Sequence, residues 1–595
     1  MDYPKPHPEC LPIAVHSRDK YLSRFGVTCL EFLRNGPAPR ENCEFGPREQ
    51  FSQVTSFLDA STIYGSNVVH SDSLRIFRDG LVKYGKLQNN RNLATKDNSD
   101  ICQLGSLSQS CFIAGDGRVG ENPALTSLHV VFLRLHNKIA TQIAIINPHW
   151  SEEKMFQETR KIVGAIIQHI TYREFLPIVL GHDVMKDFKL DIMMSGYFDE
   201  YDSTTNPNVI NEFATAAFRF GHSLVQPIFA RFDKNNKPLF SNVSIHEEFV
   251  NHHLHSEGSL ERIILGLVNQ PSQRRDEFIS EELTNHLFQR ESFPFGMDLA
   301  AINIQRGRDH GLPPYFQYRS ICGLSEINNW EDLERVIEKS TVQKFKLLYS
   351  SVEDIDLFSA GLAEKSLNGG LVGPTFACII AQQFSNLKNG DRFWFENSNV
   401  ENKFTPEQLT QIRSTTLTQV LCQTIENIES IQPFVMLLPD NFKNQRMSCH
   451  SSKIGNINVN AWLELTPGRI NKAQVKENFQ WSRESISKPQ IKSTSEQKVR
   501  QFMKPLQSSI NQQNRIVLKR PIAPQKNISI IVQNTAVNAP VFVKDSVYEP
   551  HIIQEPDSLF QLLGKKPNSL LDPSNIYFYP NKKTFLLRHY KTYIP

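Results

Sequence analysis

Thr215-Ala216-Ala217-Phe218-Arg219-Phe220-Gly221-His222-Ser223 is the stretch from which the rest of this chain can be read. It sets Arg219 three residues before His222 inside an otherwise apolar run. On a helix that spacing puts the guanidinium and the imidazole on one face. A haem makes use of such a pair, taking one ring nitrogen on its iron and a fixed cation against a propionate. A core histidine with a surface arginine is the plainer alternative, and the surrounding sequence decides between the two.

The chain has 595 residues, 39% of them hydrophobic and 10% aromatic, enough to bury a large core and to wrap a flat apolar group. Its net charge of +3 is unevenly placed. Residues 481–530 hold ten Lys/Arg against two Asp/Glu, which leaves 55 basic and 60 acidic residues elsewhere. The basic character belongs to one segment, read as a solvated arm, and no nucleic-acid partner is expected. No run of about 18 apolar residues occurs, so no membrane span is expected. The first residues, Met1-Asp2-Tyr3-Pro4-Lys5-Pro6-His7, carry no apolar core of a signal peptide.

Helical periodicity begins at Pro123, where Leu125, Leu128, Val131, Leu135, Ile139 and Ile143 recur at helical spacing and Pro148 closes the segment. A second helix is expected from about 152 to 175, ending near Pro177, and others around 208–225, 280–290, 330–350, 405–430 and 459–464. Strand-like alternation is scarce, and the class is mainly α. Residues 1–475 read as one large helical domain with little β. Residues 476–595, rich in Gln, Ser, Lys, Asn and Pro, read as a disordered, basic tail.

Nine cysteines, none in a CxxC pattern, weigh against zinc sites. Cys102 with Cys111, Cys322 with Cys378, and Cys422 with Cys449 are plausible bridges, leaving Cys10, Cys29 and Cys43 as an odd remainder. With the sequons at Asn242 and Asn527, they point to a secreted product.

Five segments in order, Gly46-Pro47-Arg48-Glu49-Gln50, residues 55–66 (TSFLDASTIYGS), residues 111–118 (CFIAGDGR), residues 218–222 and residues 302–312 (INIQRGRDHGL), resemble the animal-type haem peroxidase superfamily. The likeness is strongest to its invertebrate peroxinectin-like members and covers roughly residues 7–465. It implies that fold, haem b and calcium as cofactors, hydrogen peroxide and small reducing donors as substrates, and an extracellular matrix or cell-surface partner. His222 matches the axial iron ligand and Asn303 the acceptor that orients it. Arg219 and Arg306 match the propionate arginines. Arg118 matches the catalytic arginine that holds peroxide and stabilises the charge developing as the O–O bond breaks. Glu121 matches a carboxylate esterified to the haem, and Asn122 stands where the chloride-oxidising member of the family has a methionine. Thr55, Phe57, Asp59 and Ser61 match the calcium loop, one carboxylate being thin for that ion. His129, His136 and His310 are read as structural.

The family's distal histidine lies in a Gly-Gln…Asp-His-Asp-like motif that does not occur here. The resemblance starts at about His7, so the expectation is a chain lacking its N-terminal distal segment. A distal base is typically worth about 10² to 10⁴ in rate. Two functions follow: a haem peroxidase, or a catalytically weak or silent haem-binding or adhesion protein. The RGD or KGD triplet of adhesion is absent.

Overall fold

The computed structural model describes residues 7–465, apart from 41–44, 86–91, 94, 97–110, 241–243, 250–257 and 290–292. The expected bridge between Cys102 and Cys111, the remaining Cys43, both sequons and the basic tail lie outside the described residues. Helix dominates what is described. The strands are pairs of two residues each, joined in five antiparallel ladders.

The long helix α1 (Pro123–Ile146) starts where the sequence says it should. The Asn122 side chain accepts from the Leu125 amide at 3.0 Å and proline takes the first position, so two of the orphan groups of a helix start are removed. Its buried face is wider than the stripe read from periodicity. Leu128 is 37% exposed, whereas His129, Val130, Leu133 and His136 turn inward. A helix covered on most sides has no narrow stripe.

Helix α2 (Glu152–Ile170), capped by Ser151, packs along α1. It does not end before Pro177. A single π turn, Thr171–Phe175, carries it into α3 (Leu176–Asp187), where the proline falls in the first turn. There its missing N–H costs little. The expected helix at 208–225 is two pieces. A short α4 (Asn211–Thr215) is followed, after Ala216, by a 3₁₀ helix, Ala217–Leu224. That segment lies against α4 and the later helix α6 (Pro374–Asn389), and α4 also meets α5 (Leu299–Asp309). The stretch expected as one helix over 330–350 is Trp330–Val336 and Lys339–Leu348, and that over 405–430 is Pro406–Ser414 and Leu417–Thr424. Near 280–290 only Glu281–Thr284 is helical.

Two disulfides form as expected: Cys322–Cys378 ties the end of the helix Tyr315–Ile321 to α6, and Cys422–Cys449 closes a shorter loop. No described helix is long and apolar enough to cross a membrane.

His136 shows how polar groups enter this core. Fully enclosed in α1, it bonds the Gly80 carbonyl through Nε2 at 2.8 Å and the Tyr64 hydroxyl through Nδ1 at 2.7 Å. Burial pushes its pKa down from 6.5 to about 4. Between those values the unfolded chain takes up a proton that the folded chain refuses, so stability falls as pH drops through the window. Denaturant unfolding at pH 7 and pH 4.5 should show this fall, and His136→Gln should reduce it by about 2 kcal/mol. An unchanged pH dependence in that variant would contradict the assignment.

Candidate functional site

The 3₁₀ conformation of residues 217–224 makes positions three apart eclipse one another, so Arg219 and His222 project from the same edge. Phe218, 39% exposed, stacks on Phe213 of α4 with ring centroids 4.5 Å apart and an interplanar angle of 16°. This fixes the start of the segment, and α5 supplies the partner of its end.

Asn303, 0% exposed, stands in the second turn of α5 and meets both residues. Its Oδ1 accepts from Arg219 Nη1 at 2.5 Å, and its Nδ2 lies 2.9 Å from His222 Nδ1. The three residues singled out from two distant motifs therefore form one hydrogen-bonded unit. With the amide nitrogen facing Nδ1, that nitrogen acts as acceptor. Rotating the amide by half a turn puts the oxygen against an Nδ1–H instead and leaves the Nε2 lone pair free for a metal.

Burial lowers the His222 pKa from 6.5 to about 4, with Arg219 adding to the effect, so the imidazole is neutral at ordinary pH. Arg219 is itself pulled down to about 10 by burial and by the charge of Arg306. Its Nε donates to the Ala214 carbonyl at 2.9 Å, and among the described residues it has no carboxylate partner. A cation held this way calls for an anion brought by something else.

Arg306, one turn after Asn303, is better provided. It bonds Asp309 Oδ2 at 2.8 Å and the Leu33 carbonyl at 2.9 Å, and lies 4.1 Å over the Phe32 ring. Asp309 was not anticipated. Burial opposes its ionisation, yet hydrogen bonds from the Asn35 amide, Arg34 and Arg306 hold its carboxyl below the usual range. The i, i+3 spacing of Arg306 and Asp309 was the signal available in the sequence. Neighbouring His310 bonds Asn211 Oδ1 at 2.8 Å and Asn35 Nδ2 at 2.7 Å, joining α4, α5 and the N-terminal strand region, in keeping with a structural reading.

Arg118 and Glu121 flank the start of α1. No hydrogen bond or ion pair joins them to the His222 unit among the described residues. The turn carrying Arg118 rests on the 55–66 loop, where a side chain at Gly115 would collide with the Ser61 carbonyl and the Gly65 amide. The Arg118 side chain is 72% exposed and grips Asp116 with two bonds, Nε at 3.0 Å and Nη2 at 2.7 Å. Burial raises the Glu121 pKa, which Arg118 partly offsets. In the 55–66 loop, Thr55 Oγ1 accepts from the Phe57 amide at 3.2 Å and Asp59 Oδ1 from the Ser61 amide at 3.0 Å. No cluster of three or more His, Cys, Asp or Glu able to hold a metal occurs among the described residues. His129 bonds the Leu125 carbonyl through Nδ1 at 2.9 Å.

Comparison with known proteins gives these contacts a context. The profile described as Animal haem peroxidase matches residues 2–436. A peroxidasin homolog of Mus musculus is 38% identical over 491 residues, which cover 78% of this chain and 32% of that protein. The chorion peroxidase of Drosophila melanogaster is 37% identical over 461 residues, 77% of this chain and 56% of its own length. Among solved structures, Peroxidase A from Dictyostelium discoideum is similar with a TM-score of 0.63 at 31% identity, covering 72% of this chain and 83% of that one. The chain thus spans well under two thirds of the length of either curated relative.

Asn303→Ala should remove the part-buried bonds to His222 Nδ1 and Arg219 Nη1, lowering the unfolding free energy by about 1 kcal/mol. Urea unfolding of the purified chain measures it, and an unchanged midpoint and slope would rule out a bridging role for the amide.

Proposed function

This chain belongs to the animal haem peroxidase family, and from that premise we propose that it binds haem b at His222 and uses hydrogen peroxide to oxidise small organic donors. The observation that carries the reading is the His222–Asn303–Arg219 unit, in which two half-buried side chains share one buried amide. It offers a neutral imidazole beside a guanidinium that lacks a counter-charge. A planar group bearing iron and carboxylates supplies what both are missing.

In this reading His222 would hold the iron through Nε2, with Asn303 turned to accept from Nδ1–H so that the ligating nitrogen keeps its lone pair. Arg219 would hold a propionate in place of its Nη1 bond to Asn303, which would free the amide oxygen for that role. Arg306, held by Asp309, would hold a propionate as well. Glu121 is the carboxylate that would tether the haem. The bound haem supplies the two-electron reduction of peroxide to water. Arg118 orients the peroxide and stabilises negative charge on the departing oxygen, which requires it to let go of Asp116. Arg118 is largely exposed, whereas Asp116 is not, and on release that carboxylate would keep its bond from the Arg118 backbone amide at 2.8 Å.

Calcium belongs to the same reading through Thr55, Phe57, Asp59 and Ser61. The loop fits the ion only in part, with Asp59 its one carboxylate, and no catalytic step runs through it. Two disulfides support an extracellular site of action, with matrix or cell-surface partners. A second reading, a haem-binding protein with weak peroxide turnover and an adhesive role, draws on the hold of Asp116 over Arg118.

Reconstitution of the full chain with haemin tests the assignment. A Soret band should develop at one equivalent and survive gel filtration. His222→Ala should abolish retention, and Arg118→Ala should keep the band but lower peroxide turnover by about 10²-fold or more. Full retention of haem by His222→Ala would sink the ligand, and undiminished turnover in Arg118→Ala would sink the catalytic role of that arginine.

A further inference from the structure

A cavity of about 740 Å³ opens on a different part of the molecule from the His222 unit, between one face of α2 and residues 390–404. Its size suits a small organic molecule. Trp394, Phe395 and Phe404 form its apolar wall. Two guanidinium groups reach it, Arg160 lying 5.5 Å from the Tyr64 ring centroid and Arg392 4.6 Å from that of Phe393. Neither has a carboxylate partner among the described residues. Glu158, Asp59 and Asp391 also line the space, so only the arginine-bearing part is suited to an anion. Aromatic walls with unpaired guanidinium groups fit a flat, electron-rich ring carrying a negative group.

The wall of this cavity is connected to the haem motif by packed rings. Phe218, four residues before His222, lies 5.7 Å from Phe384, centroid to centroid. Phe384 lies 5.7 Å from Tyr172, and Tyr172 lies 4.7 Å from Trp394. Tyr172 is a poor resting place for an oxidising equivalent. Its hydroxyl donates to the Phe384 carbonyl at 2.6 Å, a weak proton acceptor, and burial next to Asp391 drives its pKa well above the usual value. Trp394 is better placed. Its Nε1–H points to Glu396 Oε2 at 3.4 Å, and that buried carboxylate, held by Arg413 at 2.7 Å and by the Met193 amide at 3.1 Å, stabilises positive charge on the indole.

We infer that this cavity is a second donor site, in which a small phenol bearing a separate anionic group is oxidised one electron at a time through Trp394, with Tyr172, Phe384 and Phe218 packed between it and the His222 segment. The inference rests on the peroxidase reading, which names the oxidant, hydrogen peroxide. Each peroxide accepts two electrons and two protons to give two waters. Each of two phenols gives one electron to the oxidised Trp394 indole and loses its O–H proton to water at the open mouth of the cavity. Two phenoxyl radicals leave.

Two measurements test the site separately from the chemistry at the haem. Calorimetric titration of the full chain with 4-hydroxybenzenesulfonate should show one binding event, weakened about tenfold when Arg160→Ala and Arg392→Ala are combined. Absence of binding, or binding indifferent to both arginines, would overturn the donor site. Then the haem-loaded chain is treated with peroxide and a nitroso spin trap, and the adduct is mapped by peptide mass spectrometry. Trap on Trp394 is the expected result and needs no variant; Trp394→Phe should lose it. A chain that consumes peroxide but carries no trap on Trp394 overturns the relay and leaves the proposed function standing. A chain that holds haem yet consumes no peroxide overturns that function, and the relay with it.

Discussion

The structure around the site depends on one buried amide. Asn303 has a nitrogen and an oxygen to offer, and two residues from another segment, Arg219 and His222, claim one each. The amide itself is fully enclosed and could not be left without partners, because a buried unpaired group forfeits its hydration with nothing in exchange. The need to satisfy both explains several features at once. The 217–224 segment winds as a 3₁₀ helix that keeps the two claimants on one edge, and α5 is brought against it at its second turn. Asp309 and His310, further along α5, fasten the same helix to Arg34, Asn35 and Asn211. The amide is a small group, but the position of three chain segments follows from it.

Charge is the second constraint. Burial and the charge of Arg306 both disfavour the charge on Arg219, yet of the two arginines only Arg306 has a carboxylate, in Asp309. A half-buried guanidinium with no carboxylate in reach is suited to an anion that a ligand brings. Arg118 presents the opposite case, an arginine with a partner already in hand at the surface. Two arginines that look alike as letters in a motif are thus in different states, one waiting for an anion and one holding an internal substitute.

The helical class, the start of α1, the disulfides Cys322–Cys378 and Cys422–Cys449 and the grouping of Arg219, His222 and Asn303 were legible in the sequence. Each rests on a local rule or on an ordered set of motifs. What was not legible has physical reasons. The stripe on α1 understated its burial because a helix enclosed on most sides carries no polar face to mark the period. Pro177 looked like a terminator, yet a proline in the first turn after a π segment loses no bond it would have made. Asp309 was passed over since a carboxylate beside arginines is ordinary in sequence; its value comes from the Asn35 amide and Arg34, which are some 270 positions away. The grip of Asp116 on Arg118 was in plain sight two residues upstream, and only geometry could say that it is made.

The π turn at Thr171–Phe175 has a consequence for how this protein can vary. Such a turn holds one residue more than the α-helical path, and each residue of an α-helix advances the azimuth by about 100°. Loss of any one residue between 171 and 175 would restore regular winding and rotate the first turn of α3, up to its break at Gly181, by that angle relative to α2. Tyr172, now wedged between Phe384 and Trp394, would lose its place, and Pro177 would fall where its ring meets a carbonyl. The count of residues in this turn therefore matters as much as the side chains it carries, because it sets the direction in which everything just after it faces.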